Sequence, residues 1–345
     1  MKDRIIGAGL SFFRATGLDR VVSLLTRGRG AVLMFHNVRD SANRAYAPNQ
    51  SLEITPEFLE ATLALLDEYG YEIISIDKLP ERLSSDSRQR FAVLTFDDGY
   101  RDNIEIAAPI MRRRNSPYAI YVTTGFAERS ARLWWLELEA AIAGLEHVVM
   151  EIAGAKLSLP ARSAAEKSEA YAASFAFLRE HDENAMLDQI SILMAKSGAR
   201  DNFTDLCMTW DEIRAAAADP LCTIGAHTLT HARLAKHSEE KVRRELLESR
   251  AIIEREIGAR TVHLAYPFGD KRSAGPREFA IARECGYETA LTTRPGVLFC
   301  AHANHLMALP RLAVHGVWQD VRSLETLLSG APFALWNMGH RLDVS

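Results

Sequence analysis

Two short segments carry residues whose types and spacing can do chemistry. In Thr95-Phe96-Asp97-Asp98-Gly99-Tyr100, two adjacent carboxylates follow an apolar run. Burying carboxylates side by side is costly unless a cation or a proton compensates. The pair therefore reads either as a solvated turn that ends a strand or as part of a cation site. In Gly225-Ala226-His227-Thr228-Leu229-Thr230-His231, two histidines stand four residues apart. That spacing predicts both imidazoles on one face of a helical turn, aimed at one metal. Two neutral imidazoles and one carboxylate suit a divalent metal that keeps open positions for water and substrate. Read alone, the histidines are two unrelated residues at a helix start. A third segment, His263-Leu264-Ala265-Tyr266-Pro267-Phe268-Gly269, has the aromatic–proline–aromatic–glycine character of a rigid pocket wall.

Each segment follows an apolar run, and the surrounding pattern says what must position it. Residues 31–38, 71–76, 91–96 and 118–123 read as strands. A helix is expected from Pro56, capped by Thr55 and stopped by Gly70, with Leu59, Leu63 and Leu66 on its core side. Another is expected over 103–114. Strand and helix then alternate again after 204, with helices over 210–218 and 238–257 and strands over 221–225, 263–266, 288–292 and 309–314. Such alternation implies parallel strands covered by helices, with ligands and catalytic groups at the C-terminal strand ends. Residues 130–204, rich in Ala, Glu, Leu and Ser, break the alternation and read as a helical insertion. The domain reading is thus an extension over 1–29, a discontinuous catalytic domain over 30–129 and 205–330, the insertion, and a C-terminal tail over 331–345.

Composition removes several classes of function. Of 345 residues, 48% are hydrophobic and 25% charged, which excludes a disordered or collagen-like chain. Lys plus Arg (41) against Asp plus Glu (45) gives a net charge of −4, against a general nucleic-acid binder. Cys207, Cys222, Cys285 and Cys300 lack metal-type pairing and read as reduced thiols. No run of 18 apolar residues suggests a membrane-spanning helix. Residues 1–29 carry Lys2, Arg4, Arg14, Arg20, Arg27 and Arg29 against Asp3 and Asp19, with apolar residues at roughly helical spacing. They read as an amphipathic helix that either packs on the domain or rests on an anionic membrane surface. No signal-peptide pattern is legible, so a cytoplasmic protein, peripheral at the inner face of the membrane, is expected. Asp19, Asp102 and the run 241–250 read as solvated faces.

The order and spacing of Thr95-Phe96-Asp97-Asp98-Gly99, His227-Thr228-Leu229-Thr230-His231 and Pro267-Phe268-Gly269 resemble the polysaccharide deacetylase family, the NodB-homology group of carbohydrate esterases (family 4). Thr209-Trp210-Asp211 is similar to that family's approach to the histidine segment. The resemblance implies an α/β fold, a distorted (β/α) barrel of seven or eight strands. It implies a metal held by Asp98, His227 and His231, with zinc first and cobalt, nickel or manganese as substitutes. Asp97 would be the general base. A late-strand histidine would be the general acid; His315 has that place, and His36 in the first strand is its rival. Many members carry an arginine against the base at the position of Ala265 here, and Arg311 is the candidate to replace it.

The activity so implied is metal-dependent removal of N-acetyl groups from N-acetylhexosamine units of an oligo- or polysaccharide, or of a lipid-linked glycan precursor. Chitooligosaccharide deacetylation and exopolysaccharide synthesis are the nearest named settings. The backbone amide of Tyr100 is a candidate oxyanion donor. Tyr100, Trp134, Trp135, Tyr266 and Trp318 are candidate flat faces for sugar rings, with core packing as the alternative for each. Competing readings keep the same residues: hydrolysis of a small non-sugar amide, a glycan-binding barrel without turnover, or a ferrous oxygenase sharing the ligand set.

Overall fold

The computed structural model describes residues 16–40, 44–199 and 203–344, together with Phe13. Seven parallel strands close into a barrel: β1 (Gly30–Phe35), β2 (Phe91–Phe96), β3 (Tyr118–Val122), β4 (Cys222–Ala226), β5 (His263–Ala265), β6 (Thr289–Pro295) and β7 (Leu309–Ala313). Each pairs with the next, and β7 returns to β1 through Leu33 opposite Leu312 and Met34 opposite Ala313. A short eighth strand, Glu72–Ile73, pairs with β2 outside the ring. This is the (β/α) barrel the sequence implied, with seven strands in the ring.

The strands are apolar throughout because both faces are covered. Alternate residues separate into two cores. Val32, Val93, Ala119, Tyr121, Leu291 and Leu309 fill the barrel, while Ala31, Leu33, Leu94, Phe96, Ile120 and Leu312 meet the surrounding helices. Continuing the inward alternation along β2 brings Thr95 and then Asp97 to the mouth of the barrel; along β7 it brings Arg311 there.

The helices start and stop where their residues dictate. Thr55 accepts from Phe58 N ahead of helix Pro56–Glu68, and Thr209 forms a capping box with Glu212 ahead of helix Trp210–Ala217. Ser238 caps helix Glu239–Ile257, which ends on left-handed Gly258. The helix expected over 103–114 begins instead as a π-helical turn, Asn103–Ala107, before the α-helix Ala108–Arg113. Pro109, with no amide to donate, lies at the junction.

Contacts divide the chain into two compact units, one of residues 1–40, 53–131 and 207–345, the other of 41–52 and 132–206. The second unit is not wholly helical, as the sequence had suggested. Between helix Trp134–Gly144 and helices Ala164–Glu180 and Glu183–Ser197 stands an antiparallel hairpin, His147–Ile152 with Ala155–Pro160. Ala153 and Gly154, both at positive φ, make its two-residue turn. In His147–Ile152 buried and exposed residues alternate, a short period-two signal in an Ala- and Glu-rich surround.

At the termini, Leu18–Thr26 and Ala331–Trp336 are helices, the second inside what the sequence suggested was a tail. Residues 1–12, 14 and 15 of the expected amphipathic extension lie outside the described residues. Asp19 is not solvated: it is buried, with Thr326 Oγ1 donating to Oδ2 at 3.0 Å. No helix among the described residues is long and apolar enough to cross a membrane.

Candidate metal centre and catalytic site

At the C-terminal end of β2 the chain leaves the sheet in one step. Asp97 is still on the ladder, its amide donating to Phe35 O at 3.0 Å. Asp98 (φ 70°) and Gly99 (φ 69°) then turn left-handed, and Met208 N donates to Gly99 O at 2.9 Å. The two histidines follow β4, but not on a helical turn. Residues 227–233 form an irregular loop in which Thr228 (φ 66°) and His231 (φ 60°) are left-handed. The neighbouring loop holds its near end: Thr123 Oγ1 donates to His227 O, and Gly125 N to Leu229 O. A Cβ on Gly125 would stand 2.7 Å from Leu229 O, so only glycine allows that approach. Half of the eight described non-glycine residues at positive φ (Asp98, Thr228, His231 and Phe268) lie in the three loops singled out above. Each costs about 1–3 kcal/mol and persists only where the surroundings impose it.

Glu245 supplies much of that imposition. Its buried carboxylate accepts from Leu229 N (3.0 Å), Thr230 N (2.9 Å) and Thr230 Oγ1 (2.7 Å). The charged run around it had read as a solvated face. The only signal against that reading was its phase, one turn from Val242 and adjacent to Leu246 on the helix's buried stripe.

Asp98, His227 and His231 are all buried, and one ligand atom from each lies within 4.8 Å of the others. Nε2 of His227 and of His231 stand 3.4 and 3.2 Å from Asp98 Oδ1. Two ligands bound at ~2.1 Å on a tetrahedral ion stand about 3.4 Å apart. Nδ1 of His227 lies 2.7 Å from Ala265 O, a contact that requires the proton on Nδ1. A neutral His227 then turns its Nε2 lone pair toward Asp98. Asp98 Oδ1, in turn, has no aligned hydrogen bond. The contact is made good by a proton on Nε2 or, in its place, by a metal ion between the two atoms, and a donor set of two imidazoles and one carboxylate fits a divalent metal. Phe126 stacks on one side of the His231 ring (5.7 Å) and Phe268 meets it edge-on (5.0 Å), which fixes its plane.

Asp97 faces a different partner. Arg311 donates from both terminal nitrogens to its two oxygens, each at 2.7 Å, and from Nε to Thr292 O at 2.8 Å. The arginine missing at Ala265 thus has a counterpart against the same carboxylate, approaching from β7. Burial alone would raise the Asp97 carboxyl, but Arg311 and then His227 hold it below the usual range. Burial also opposes ionisation of Asp98, and His231 and His227 outweigh it to hold that carboxyl well below its ordinary value. His227 is raised: the charges of Asp97 and Asp98 overcome its burial.

The two candidate acids sit on adjacent strand ends. His36 follows β1 and His315 follows β7, and the last contact between the two strand ends is Val314 N donating to Met34 O. His36 is lowered, chiefly by burial, although Asp98 and Asp97 act against that shift. His315 is partly exposed; its Nδ1 accepts from Val317 N at 3.2 Å and its ring stacks on Trp318 at 4.4 Å. A neutral His315 with Nδ1 so occupied carries its proton on Nε2.

The aromatic residues expected to face sugar rings are mostly interior. Tyr100 and Tyr266 are fully buried, and Tyr266 OH donates to Met307 O. Trp134 and Trp135 are buried within the second unit, Trp134 stacked on Phe175 at 4.9 Å. None of these four offers an open face; large rings at strand ends and helix starts were absorbed by packing. Asp102, also read as solvated, is buried enough that its carboxyl is pushed up to about 7.

A sequence profile described as polysaccharide deacetylase matches residues 84–290, more than half of the 345. The chain belongs to the polysaccharide deacetylase family. Among curated proteins, this family member is 25% identical over 93 residues to YxkH of Bacillus subtilis (strain 168), itself assigned to the polysaccharide deacetylases only by inference. That match spans 26% of this chain and 30% of YxkH. Among solved structures, the fold is similar to the Streptococcus pyogenes deacetylase PplD in complex with acetate, with TM-score 0.57, 18% identity and coverage of 86% of this chain and 97% of that one. It is also similar to BC0361, a polysaccharide deacetylase from Bacillus cereus, with TM-score 0.55, 16% identity and coverage of 87% and 68%. A de-N-acetylase from Aggregatibacter actinomycetemcomitans gives TM-score 0.54 and 15% identity, over 86% of this deacetylase-family chain and 99% of its own.

Proposed function

We propose that the chain is a divalent-metal-dependent hydrolase that removes N-acetyl groups from N-acetylhexosamine units of an oligo- or polysaccharide or a lipid-linked glycan precursor. One observation carries this reading. A three-ligand group, Asp98, His227 and His231, adjoins an arginine-paired carboxylate, Asp97, that is kept ionised without being a ligand.

Zinc is the proposed ion, with cobalt, nickel or manganese as substitutes. Held by Asp98, His227 and His231, the ion would polarise the acetamide carbonyl and acidify the attacking water, so that a weak base suffices. Asp97 is that base. A carboxylate has about four lone-pair sites, and Arg311 fills two of them. Arg311 also fixes the plane of the carboxylate, and its charge keeps the proton off until water delivers one. His315, with its proton on Nε2, donates to the departing nitrogen, and acetate and a free amine leave. His36, lowered by burial, is a neutral neighbour of the carboxylates.

The test is acetate release from a panel running from chitooligosaccharides to lipid-linked N-acetylglucosamine, with native, chelator-stripped and metal-restored protein. Release that vanishes on stripping and returns with zinc or cobalt supports the reading. Metal bound at one per chain with no release from any member would instead favour a non-sugar amide or a binding-only barrel.

A further inference from the structure

The helix Leu18–Thr26 is amphipathic in the reverse sense. Its inward face presents Asp19, buried and bonded to Thr326, while Val21, Leu24 and Leu25, at i, i+3 and i+4, face outward. The helix Ala331–Trp336 packs beside it. Thr26 Oγ1 donates to Ser329 O at 2.7 Å, and a Cβ on Gly330 (φ 72°) would collide with Thr26 O at 1.9 Å. This second helix and the turn after it expose Leu335, Trp336 and Met338. These six side chains are between 49% and 85% exposed and make up half of the large exposed hydrophobics among the described residues. Apolar surface gathered in this way marks an interaction site rather than the usual scatter of single residues.

Beneath the same helix lies a cavity of about 210 Å³ lined by Arg20, Arg27, Arg90, Tyr69 and Tyr71, with Asp19 and Glu325 as its acids. Glu325 is paired with Arg20 and Arg322 and accepts from Tyr69, whereas Asp19 takes only a hydroxyl hydrogen bond from Thr326 and keeps its charge, against the three arginines of the lining. Arg90 lies over the Tyr71 ring at 4.7 Å and donates to Tyr69 O. Arg27 has no acidic partner among the described residues. By helical phase Arg20 and Arg27 edge the apolar stripe on one side, between it and the inward face.

We infer that the two terminal helices form a membrane-docking face, with Val21, Leu24, Leu25, Leu335, Trp336 and Met338 entering the interface and the arginine cavity taking a phosphate headgroup of an anionic lipid. Charge selects this occupant. Residues 1–29 hold six basic side chains against two acids, Asp3 and Asp19. A second copy meeting this face about a two-fold axis would bring the same arginines together, whereas anionic headgroups complement them. An apolar stripe edged by arginine, with a tryptophan beside it, is the pattern of a helix lying in the membrane interface. This goes beyond the deacetylase reading and does not depend on it.

The experiment is co-sedimentation of the full chain with vesicles of phosphatidylcholine alone or with about 30 mol% phosphatidylglycerol, at low salt (about 0.1 M) and high salt (about 0.3 M), to span the screening range. The chain should partition onto the anionic vesicles and be released by salt. Leu24→Glu with Trp336→Glu should abolish partitioning, and Leu247→Glu, an exposed apolar position on helix Glu239–Ile257, should leave it intact. Arg27→Gln, a conservative change that serves even if the double variant fails to fold, should lower partitioning about fivefold. No binding to anionic vesicles, binding unchanged by Arg27→Gln, or a dimer by light scattering that Leu24→Glu dissociates would each overturn the inference.

Discussion

The barrel carries an aspartate–histidine cluster at each end, and the two are built on opposite principles. At the N-terminal ends of the strands, Asp77 Oδ1 lies 3.0 Å from His263 Nε2, His263 Nδ1 lies 2.8 Å from Thr289 Oγ1, and Thr223 Oγ1 donates to Asp77 Oδ2 at 2.9 Å. Ser75 completes the set, and Asp77 and His263 both have ordinary negative φ. At the C-terminal ends, Asp98 is buried where Asp77 is half exposed, the cluster sits partly on left-handed backbone, and Asp98 Oδ1 is left without an aligned donor. A cluster whose hydrogen bonds are already saturated closes the floor of a barrel. A strained cluster short of a donor is waiting for a ligand. On the proposed function, the same residue types divide into stability at one end and chemistry at the other.

The sharpest way to break that comparison is to delete one histidine from each end. His227→Ala should remove the bound metal, measured as metal per chain, and lower acetate release by at least ~10³-fold. Its effect on thermal unfolding should be small once metal has been stripped from both proteins. His263→Ala should do the reverse, leaving metal content and turnover per folded molecule intact and costing about 1–2 kcal/mol by denaturant titration. If His263→Ala empties the metal site, the two ends are not independent.

Next in size is the pair that joins stability to chemistry. Arg311→Ala leaves Asp97 buried without its bidentate partner, so a loss of about 3–5 kcal/mol is expected. The sign of the accompanying pH effect is fixed. Asp97 is held below its usual range in the folded state, so its contribution to stability is present above the unfolded value and lost as pH falls through the folded one. Without Arg311 the carboxyl rises, and the acidic limb of the rate–pH profile should move to higher pH. Asp97→Asn removes the proposed base while keeping the side chain's shape. Turnover should fall by about 10²–10⁴-fold with metal retained. An unshifted acidic limb in Arg311→Ala would show that Arg311 does not act through Asp97.

The same contrast explains what the sequence could and could not convey. Strands such as Phe91–Phe96 were legible because a doubly covered strand is a continuous apolar run. Helix starts were legible because caps such as Thr55-Pro56 and Ser238 act locally. The spacing of His227 and His231 pointed to a shared ligand, but the helical turn inferred from it was wrong. Left-handed φ at Thr228 and His231 is imposed from a distance by Glu245, Thr123 and Gly125. Arg311 drew attention only because Ala265 stands where an arginine was expected; its 2.7 Å contacts depend on β7 closing against β1. Glu245 and Asp19 were hidden inside charged stretches, and the hairpin at 147–160 inside a helix-forming composition. The four aromatic rings show the converse. Residue type suggested sugar contact, and packing decided otherwise.

The smallest effect belongs to the barrel floor, where it can be separated from the chemistry by pH alone. The hydrogen bond from His263 holds the Asp77 carboxyl well below its usual range against the opposing effect of burial, with Ser75 and Thr223 adding to it. A depressed carboxylate stabilises the fold above its unfolded value, near 3.9, and that stability is lost as pH falls toward the folded value. Because the Asp77 side chain is more than half exposed, solvent screening limits the contribution to about 1 kcal/mol or less. Asp77→Asn should therefore flatten the fall in stability between about pH 5 and 2 and cost little at pH 3, where the native carboxylate's advantage is already fading. Measured near neutral pH, acetate release and metal content should not change. A large loss of metal in Asp77→Asn would mean that the floor positions His227 through β4 and β5, and the division between the two ends would have to be given up.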